Sequence, residues 1–399
     1  RTGAGPERIT ASQGAARERI AETIDEFVVL RQELHHHPEL AFQERRTSAR
    51  IAALLEGWGY DVTPLAGTGV IGTLRNGKGR RLAIRADIDA LPIHEATGLP
   101  FASAVPGVMH ACGHDGHTAI LLAAARYLAE TRRFRGTLHL IFQPAEEIGQ
   151  GARRLIGEGL FDRFPVDAIF GLHNWPGVEE GRFGFIEGPA MAGIDQVDFR
   201  VRGKGGHGAA PHEAVDPVVA AAHAITALQS VVARNVDPLE AAVVTVGTIH
   251  GGAASNVIPD SVEMKLTLRS FSPRTREVLA ARVPALLTGV VQALGATAYI
   301  DYRPGFPAVV NHPSELRIAR DAALAALGEE GVLPALAPRT ASEDFAWYLQ
   351  EVPGAFLILG NGEGAPLHSP EYRFNDAILL PGATLWAALV EGFLSGDIQ

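Results

Sequence analysis

Three short runs in this chain are apolar almost without interruption, and each breaks off at residue types that bind metals or move protons. Residues 137–143 (TLHLIFQ) stop at Pro144-Ala145-Glu146-Glu147. Residues 166–172 (VDAIFGL) stop at His173-Asn174-Trp175-Pro176. Residues 355–359 (AFLIL) lead through a glycine-rich loop to Leu367-His368-Ser369-Pro370. Such runs mark strands buried on both faces in a parallel sheet. A further strand, residues 81–85, runs into Ala86-Asp87-Ile88-Asp89. Helical patterns lie between the strands, so the expected fold class is α/β, with a doubly wound, mostly parallel sheet. In such sheets ligands bind beyond the carboxyl ends of the strands. Asp87, Glu146, Glu147, His173 and His368 all stand at or after such ends.

The densest cluster of chemistry lies in Met109-His110-Ala111-Cys112-Gly113-His114-Asp115-Gly116-His117, which holds the only cysteine of the chain. The run Thr118 to Ala125 that comes next is small and apolar, as in a buried helix, so the cluster occupies the loop entering a helix. A thiol and imidazoles packed this tightly suit a transition metal. A histidine-rich surface loop is the plain alternative. Two adjacent acids, Glu146 and Glu147, are costly at the end of a buried strand unless paired or metal-bound. Extended backbone would point them opposite ways, one to a metal and one to the substrate cleft. A helix N-terminal turn, where acids favour the dipole, would also explain them. Asp87 and Asp89 each have a turn-forming reading as well.

Elsewhere the pattern predicts an amphipathic helix over residues 17–36, ending at His35-His36-His37-Pro38, and another over 44–58. The three histidines stand in a helix-end loop and are read as surface or supporting groups. Residues 70–74 and 81–85 are read as a hairpin about Asn76-Gly77-Lys78-Gly79. After residue 190 the character changes: strands 195–202 and 261–269 alternate polar and apolar, 242–249 is a further strand, and helices are expected over 217–234 and 273–294. That order describes a small α+β sandwich with one bare sheet face. The expected organisation is a discontinuous catalytic domain, residues 15–189 and 305–399, with residues 190–304 inserted as a dimerisation or lid domain. An exposed sheet edge favours a homodimer or a tetramer built from dimers.

Net charge is −10, only three lysines occur and there is no basic run, which argues against nucleic acid as a partner. No apolar run reaches the ~18 residues of a membrane span. The start, residues 1–13, is polar and lacks a signal core. One lone cysteine fits a reducing compartment, so the expected location is the cytoplasm.

Together, Met109 to Asp115, Gln143-Pro144-Ala145-Glu146-Glu147, Gly171-Leu172-His173-Asn174 and His368-Ser369-Pro370 resemble the M20 metallopeptidase/amidohydrolase family, in particular the branch holding hippurate hydrolase and the plant auxin–amino acid conjugate hydrolases. The resemblance runs from about residue 20 to the end. It implies two divalent metal ions, manganese or zinc first, with cobalt or nickel as alternatives. Cys112 would bridge them, Glu147 and His368 would complete one, and His114 and His173 the other. Glu146 would be the general base and Asp87 would orient the site. Where the wider family has a histidine ligand two residues before that aspartate, this chain has Arg85, and Cys112 replaces the usual bridging aspartate. In the inserted domain His207 resembles the histidine that reaches the partner subunit's site and polarises the scissile carbonyl. Asn256 and Arg269 resemble the pair that grips a substrate carboxylate. Ser342-Glu343-Asp344-Phe345 resembles a stretch typical of the branch and is read as structural support.

The implied reaction is hydrolysis of an N-acyl amino acid, with metal-activated water as nucleophile and Glu146 as proton carrier. Three other readings use the same residues. A dipeptidase or aminopeptidase would need an acid to hold the substrate amine. A hydrolytically inactive metal-dependent binding protein would lack the base. A Cys112 nucleophile would leave the paired glutamates and distant histidines without a task.

Overall fold

The computed structural model describes residues 7–395. The polar start therefore lies partly outside the described residues. By packing, the chain divides into two compact units. The first comprises Arg1–Gly188, Val310–Ala337 and Asp344–Gln399; the second comprises Pro189–Val309 and Pro338–Glu343.

The first unit is built on a seven-stranded sheet. Asp61–Leu65 (β1) and Gly69–Asn76 (β2) lie at one side. Gly136–Gln143 (β4), Arg81–Asp87 (β3), Ala168–Pro176 (β5), Gly354–Gly362 and Phe183–Gly184 come next in that order. The four middle strands are parallel, so their carboxyl ends share one edge. This is the expected α/β class. One expectation fails: β2 and β3 do not form a hairpin. β4 lies between them, antiparallel to β2 and parallel to β3. Every residue of β4 but Thr137 is buried, and a strand that apolar is stabilised most in the middle of a sheet. The reversal at Gly77 is held wide by β4's leading loop: Thr137 N–H donates to Arg80 O and Arg135 Nε to Lys78 O.

The helix expected over residues 17–36 is two helices, Glu7–Ala21 (α1) and Ile24–His36 (α2). Thr23 is the break. Its hydroxyl and its N–H both donate back to Ile20 O, and its own carbonyl starts the next helix by accepting from Glu26 N–H. Arg45–Gly57 (α3) matches the second expected helix. The helix after the cysteine loop, His114–Thr131 (α4), is buried over nearly its whole length, so its apolar residues face protein on every side. It packs on the C-terminal helix Leu379–Phe393 so closely that a Cβ at Gly382 would lie 2.9 Å from Ile120. The stretches Pro217–Asn235 and Asp376–Phe393 are long and apolar enough for a membrane by length and composition; most of the latter is buried in this core.

The second unit is a four-stranded antiparallel sheet in the order Ala242–His250, Ser261–Ser270, Gly193–Arg202, Thr297–Pro304. Burial alternates along Gly193–Arg202 and Ser261–Ser270, and helices Pro217–Ser230 and Pro273–Ala293 cover the buried face. The fourth strand includes Arg303, close to where the sequence pattern predicts the return of the first fold. Beside this sheet, Gly206–His207 pairs with Val257–Ile258 in a small ribbon.

Candidate metal centre

Asp87 ends β3, His173 lies three residues before the end of β5, and Cys112 and His114 flank Gly113 at the start of α4. Gly113 has a φ of 81°, a left-handed conformation that leaves α4 free to begin at His114. The carboxyl edge thus brings together every metal-site residue read from the sequence. Ligand atoms of Cys112, Glu147 and His368 fall within 4.8 Å of one another, as do those of His114, Glu146 and Glu147. A third such group is Asp87, His114, His117 and His173.

The contacts are close and mostly buried. Cys112 Sγ lies 3.4 Å from His173 Nε2. His368 Nε2 lies 3.3 Å from Glu147 Oε2, and this histidine alone among the proposed ligands is largely exposed, at 53 % of its side chain. His114 Nε2 faces Asp87 Oδ2 at 3.3 Å, Glu147 Oε1 at 3.6 Å and Glu146 Oε2 at 3.8 Å. Both glutamates therefore turn toward His114, and the expectation that they point opposite ways is corrected. The backbone is not extended there. Ala145 has a φ of 53° and its N–H donates to Glu44 Oε1, which bends the chain into a turn.

The donor set fits cations on evidence internal to the fold. Two buried atoms, His114 Nε2 and Glu147 Oε1, make no hydrogen bond among the described residues, only the ion-pair contacts given above. Orphaned polar atoms in a protein interior are rare and costly, and a shared cation would satisfy both. Electrostatics agree. Burial lowers the pKa of His114, but Asp87, Asp89 and Glu147 overcome it and raise the ring to about 10. So much negative charge around one imidazole is what a divalent ion would balance. Burial, with His117 beside it, pushes His173 well below its ordinary value, leaving it neutral as a ligand must be. Burial, then Glu147, Glu146 and Asp87, push the Cys112 thiol well above its usual value. A thiol among carboxylates holds its proton, which disfavours it as a free nucleophile.

Several supporting residues were missed or undervalued in the sequence. Asp89, given a turn-forming alternative, is buried and sits 3.1 Å from His114 Nδ1 while accepting from Glu147 N–H at 2.9 Å. His117 lies 2.7 Å from Asp87 Oδ1. Its spacing of three from His114 on a helix was the available signal, since such residues share a face. Arg85 is wholly buried. It donates from Nε to Gln143 Oε1 at 2.8 Å and from Nη2 to Asp344 Oδ1 at 3.0 Å, and Nη1 stands 3.4 Å from Asp87 Oδ2. Asp344 also accepts from Gln143 Nε2 and Ala152 N–H, which gives that stretch its structural task. His35, in the helix-end triplet, is buried between Asp115 and Glu95 at 2.9 and 2.8 Å.

In the second unit His207 and Asn256 are neighbours on the exposed ribbon, where Gly208 N–H donates to Asn256 O at 2.8 Å. Arg269 lies on a different sheet, at the end of Ser261–Ser270. It is half-buried, and its partners among the described residues are neutral: Ser342 Oγ at 2.8 Å, Thr267 Oγ1 at 3.2 Å and Thr340 O at 3.5 Å. Burial alone lowers its pKa, with no carboxylate raising it.

Comparison with known proteins agrees with these features. The family described as peptidase family M20/M25/M40 matches residues 83–392. The chain is similar to a hippurate hydrolase of Campylobacter jejuni, 40% identical over 380 residues, covering 94% of this chain and 99% of the relative. It is similar to an N-acetyl-L-cysteine deacetylase of Bacillus subtilis, 40% identical over 360 residues, covering 89% and 85%. Among solved structures it resembles the YXEP protein of Bacillus subtilis, described as a dinuclear metal binding peptidase from the M20 family, with a TM-score of 0.81 and 36% identity over 94% of this chain and 99% of that one.

Proposed function

The chain belongs to peptidase family M20/M25/M40 and is a hydrolase of linear amides, and on that premise we propose that it releases amino acids from N-acyl or N-aroyl amino acids at a two-metal site. One observation carries the proposal: the convergence of Cys112, His114, Glu146, Glu147, His173 and His368, with two buried ligand atoms that make no hydrogen bond among the described residues.

In this reading Cys112, Glu147 and His368 hold one divalent ion, and Cys112, His114 and His173 the other. Manganese or zinc suits the mixed thiolate, imidazole and carboxylate set, with cobalt or nickel as substitutes. When bound, the ions supply Lewis acidity that makes water nucleophilic near neutral pH. Glu146 accepts the proton of the attacking water and delivers it to the leaving nitrogen, so water and amide become acid and amine. Asp87, tied to Arg85 and His117, holds the site's geometry. His207, contributed by a partner subunit, donates to the carbonyl oxygen as it gains charge. Arg269 and Asn256 receive the substrate carboxylate; a planar guanidinium meets a carboxylate at two points. Arg269's neutral surroundings support that role and disfavour a dipeptidase, whose substrate amine needs an acid.

Residues 190–304 are proposed as a dimerisation and lid domain inserted into a catalytic domain of residues 15–189 and 305–399, with a homodimer or dimer-based tetramer as the assembly. A reducing cytoplasm suits its single thiol.

The test is Glu146→Gln assayed on hippurate and N-acetyl amino acids, beside metal content at equilibrium. Turnover is expected to fall by about a hundredfold to ten-thousandfold with metal binding retained. Undiminished turnover would overturn Glu146 as the base. Wild-type protein that binds no metal and still hydrolyses would overturn the two-metal reading.

A further inference from the structure

Asn174 comes directly after His173 on β5 and is wholly buried. Its Nδ2 donates to Cys112 O at 2.9 Å, which fixes the orientation of the amide. Its Oδ1 accepts from the Tyr372 hydroxyl at 2.6 Å. Its backbone N–H donates to His117 Nε2 at 2.9 Å, and Nδ2 also lies 2.9 Å from that nitrogen. Two donors on Nε2 make it an acceptor, so the proton of His117 sits on Nδ1, 2.7 Å from Asp87 Oδ1. Both ring nitrogens are thereby engaged. His117 lies within ligand distance of Asp87, His114 and His173 but serves the site by holding Asp87 and Asn174, not by binding an ion.

Tyr372 is buried and stands four residues after His368. A Cβ on Gly113 would fall 2.2 Å from Asn174 Nδ2 and 2.5 Å from the Tyr372 hydroxyl. The pair therefore lies against the backbone between Cys112 and His114. Phe374, two residues after Tyr372, crosses Gly116 in the same way, its ring 2.1 Å from where a Cβ would be. The rest of the His368 segment is held elsewhere: His368 N–H donates to Ala111 O, Pro370 O accepts from Ala96 N–H, and Arg373 bonds Thr97 O and Asn361, while the His368 side chain itself is largely exposed.

We propose that Asn174 and Tyr372 are positioning residues that lock the segment carrying His368 to the segments carrying Cys112, His114 and His173. The Tyr372–Asn174 hydrogen bond is the buried side-chain link between these segments and sets the spacing of the two metal positions. Tyr372→Phe removes that bond and almost no volume. It loosens the attachment of the His368 segment, so it weakens the metal position completed by His368 and spares the one completed by His114 and His173. The inference rests on the two-metal reading.

The experiment is an equilibrium titration of metal-free chain with manganese(II), which needs no activity. Wild-type chain is expected to bind two ions. Tyr372→Phe is expected to bind one with a dissociation constant within about threefold of wild type and the other about ten- to a hundredfold more weakly. In Tyr372→Phe/Asn174→Ala the effect is expected to equal that of Asn174→Ala alone, because both changes break one link. Tyr372→Phe with two unchanged constants, or with both weakened equally, would overturn the lock. Fewer than two ions on wild-type chain would overturn the two-metal reading instead. Should Tyr372→Phe not fold, Asn174→Asp carries the test. It keeps the acceptor for Tyr372, loses the donor to Cys112 O, and is expected to weaken both ions; two unchanged constants there would overturn the proposal as well.

Discussion

Asp89 Oδ1 lies 3.1 Å from His114 Nδ1, and the same carboxylate accepts the Glu147 N–H through Oδ2 at 2.9 Å. One buried side chain thus sets the ring orientation of one proposed ligand and the backbone position of another. With Nδ1 engaged, His114 presents Nε2 to the centre, the arrangement by which carboxylates orient metal-binding imidazoles. Asp89→Asn puts an N–H toward one of these donors. Metal affinity is expected to fall about ten- to a hundredfold, with the far-ultraviolet circular dichroism unchanged. Competition with a chromophoric chelator measures this. Wild-type affinity in the variant would reduce Asp89 to a turn former.

Arg269 is a half-buried cation with neutral partners among the described residues. Arg269→Ala is expected to raise KM for N-acetyl amino acids about ten- to a hundredfold, the worth of a charge-assisted hydrogen bond. The matching amides, which lack the free carboxylate, are expected to shift far less. An equal shift for both substrate types would assign Arg269 to packing.

His139 gives a pH dependence away from the proposed site. It is buried on β4, 2.8 Å from Thr73 Oγ1, and burial, with Arg75 and Arg81, lowers it from 6.5 to about 4. Its folded pKa is depressed, so the unfolded chain takes up the proton first. Stability is full above about pH 6.5 and declines as pH falls towards about 4. The total is on the order of 3 kcal/mol. Denaturant midpoints for wild type and His139→Gln across this range test it, and the variant's profile is expected to be flatter. Parallel profiles would show that other groups dominate.

Much of the site is legible in the sequence because strands and their ends are local features. The apolar runs of β4, β5 and Gly354–Gly362 identify buried parallel strands, and the residues after each run must emerge at one edge. That places Asp87, Glu146, Glu147, His173 and His368 together without coordinates. Cys112 and His114 are found by their density in one short stretch. Supporting residues are harder to read. Asp89 and His117 have the residue types of ligands, yet their tasks depend on which atom meets which partner across the fold. Arg31 illustrates the extreme case: it is a helix-face arginine in the sequence and a buried partner of Asp115, at 3.1 Å, and of Asp376 in the structure.

By itself the sequence determined the α/β class, the alternating strands of the second unit and the residue types gathered at the sheet edge, since each depends on hydrophobic period and on where that period stops. Only the tertiary structure decided that β4 separates β2 from β3, that Ala145 turns both glutamates toward His114, and that Asn174 ties four segments into one node. Strand order and hydrogen-bond partners depend on contacts between residues far apart in the chain. Neighbouring residues constrain these contacts weakly, and packing of the whole core selects among the arrangements they allow.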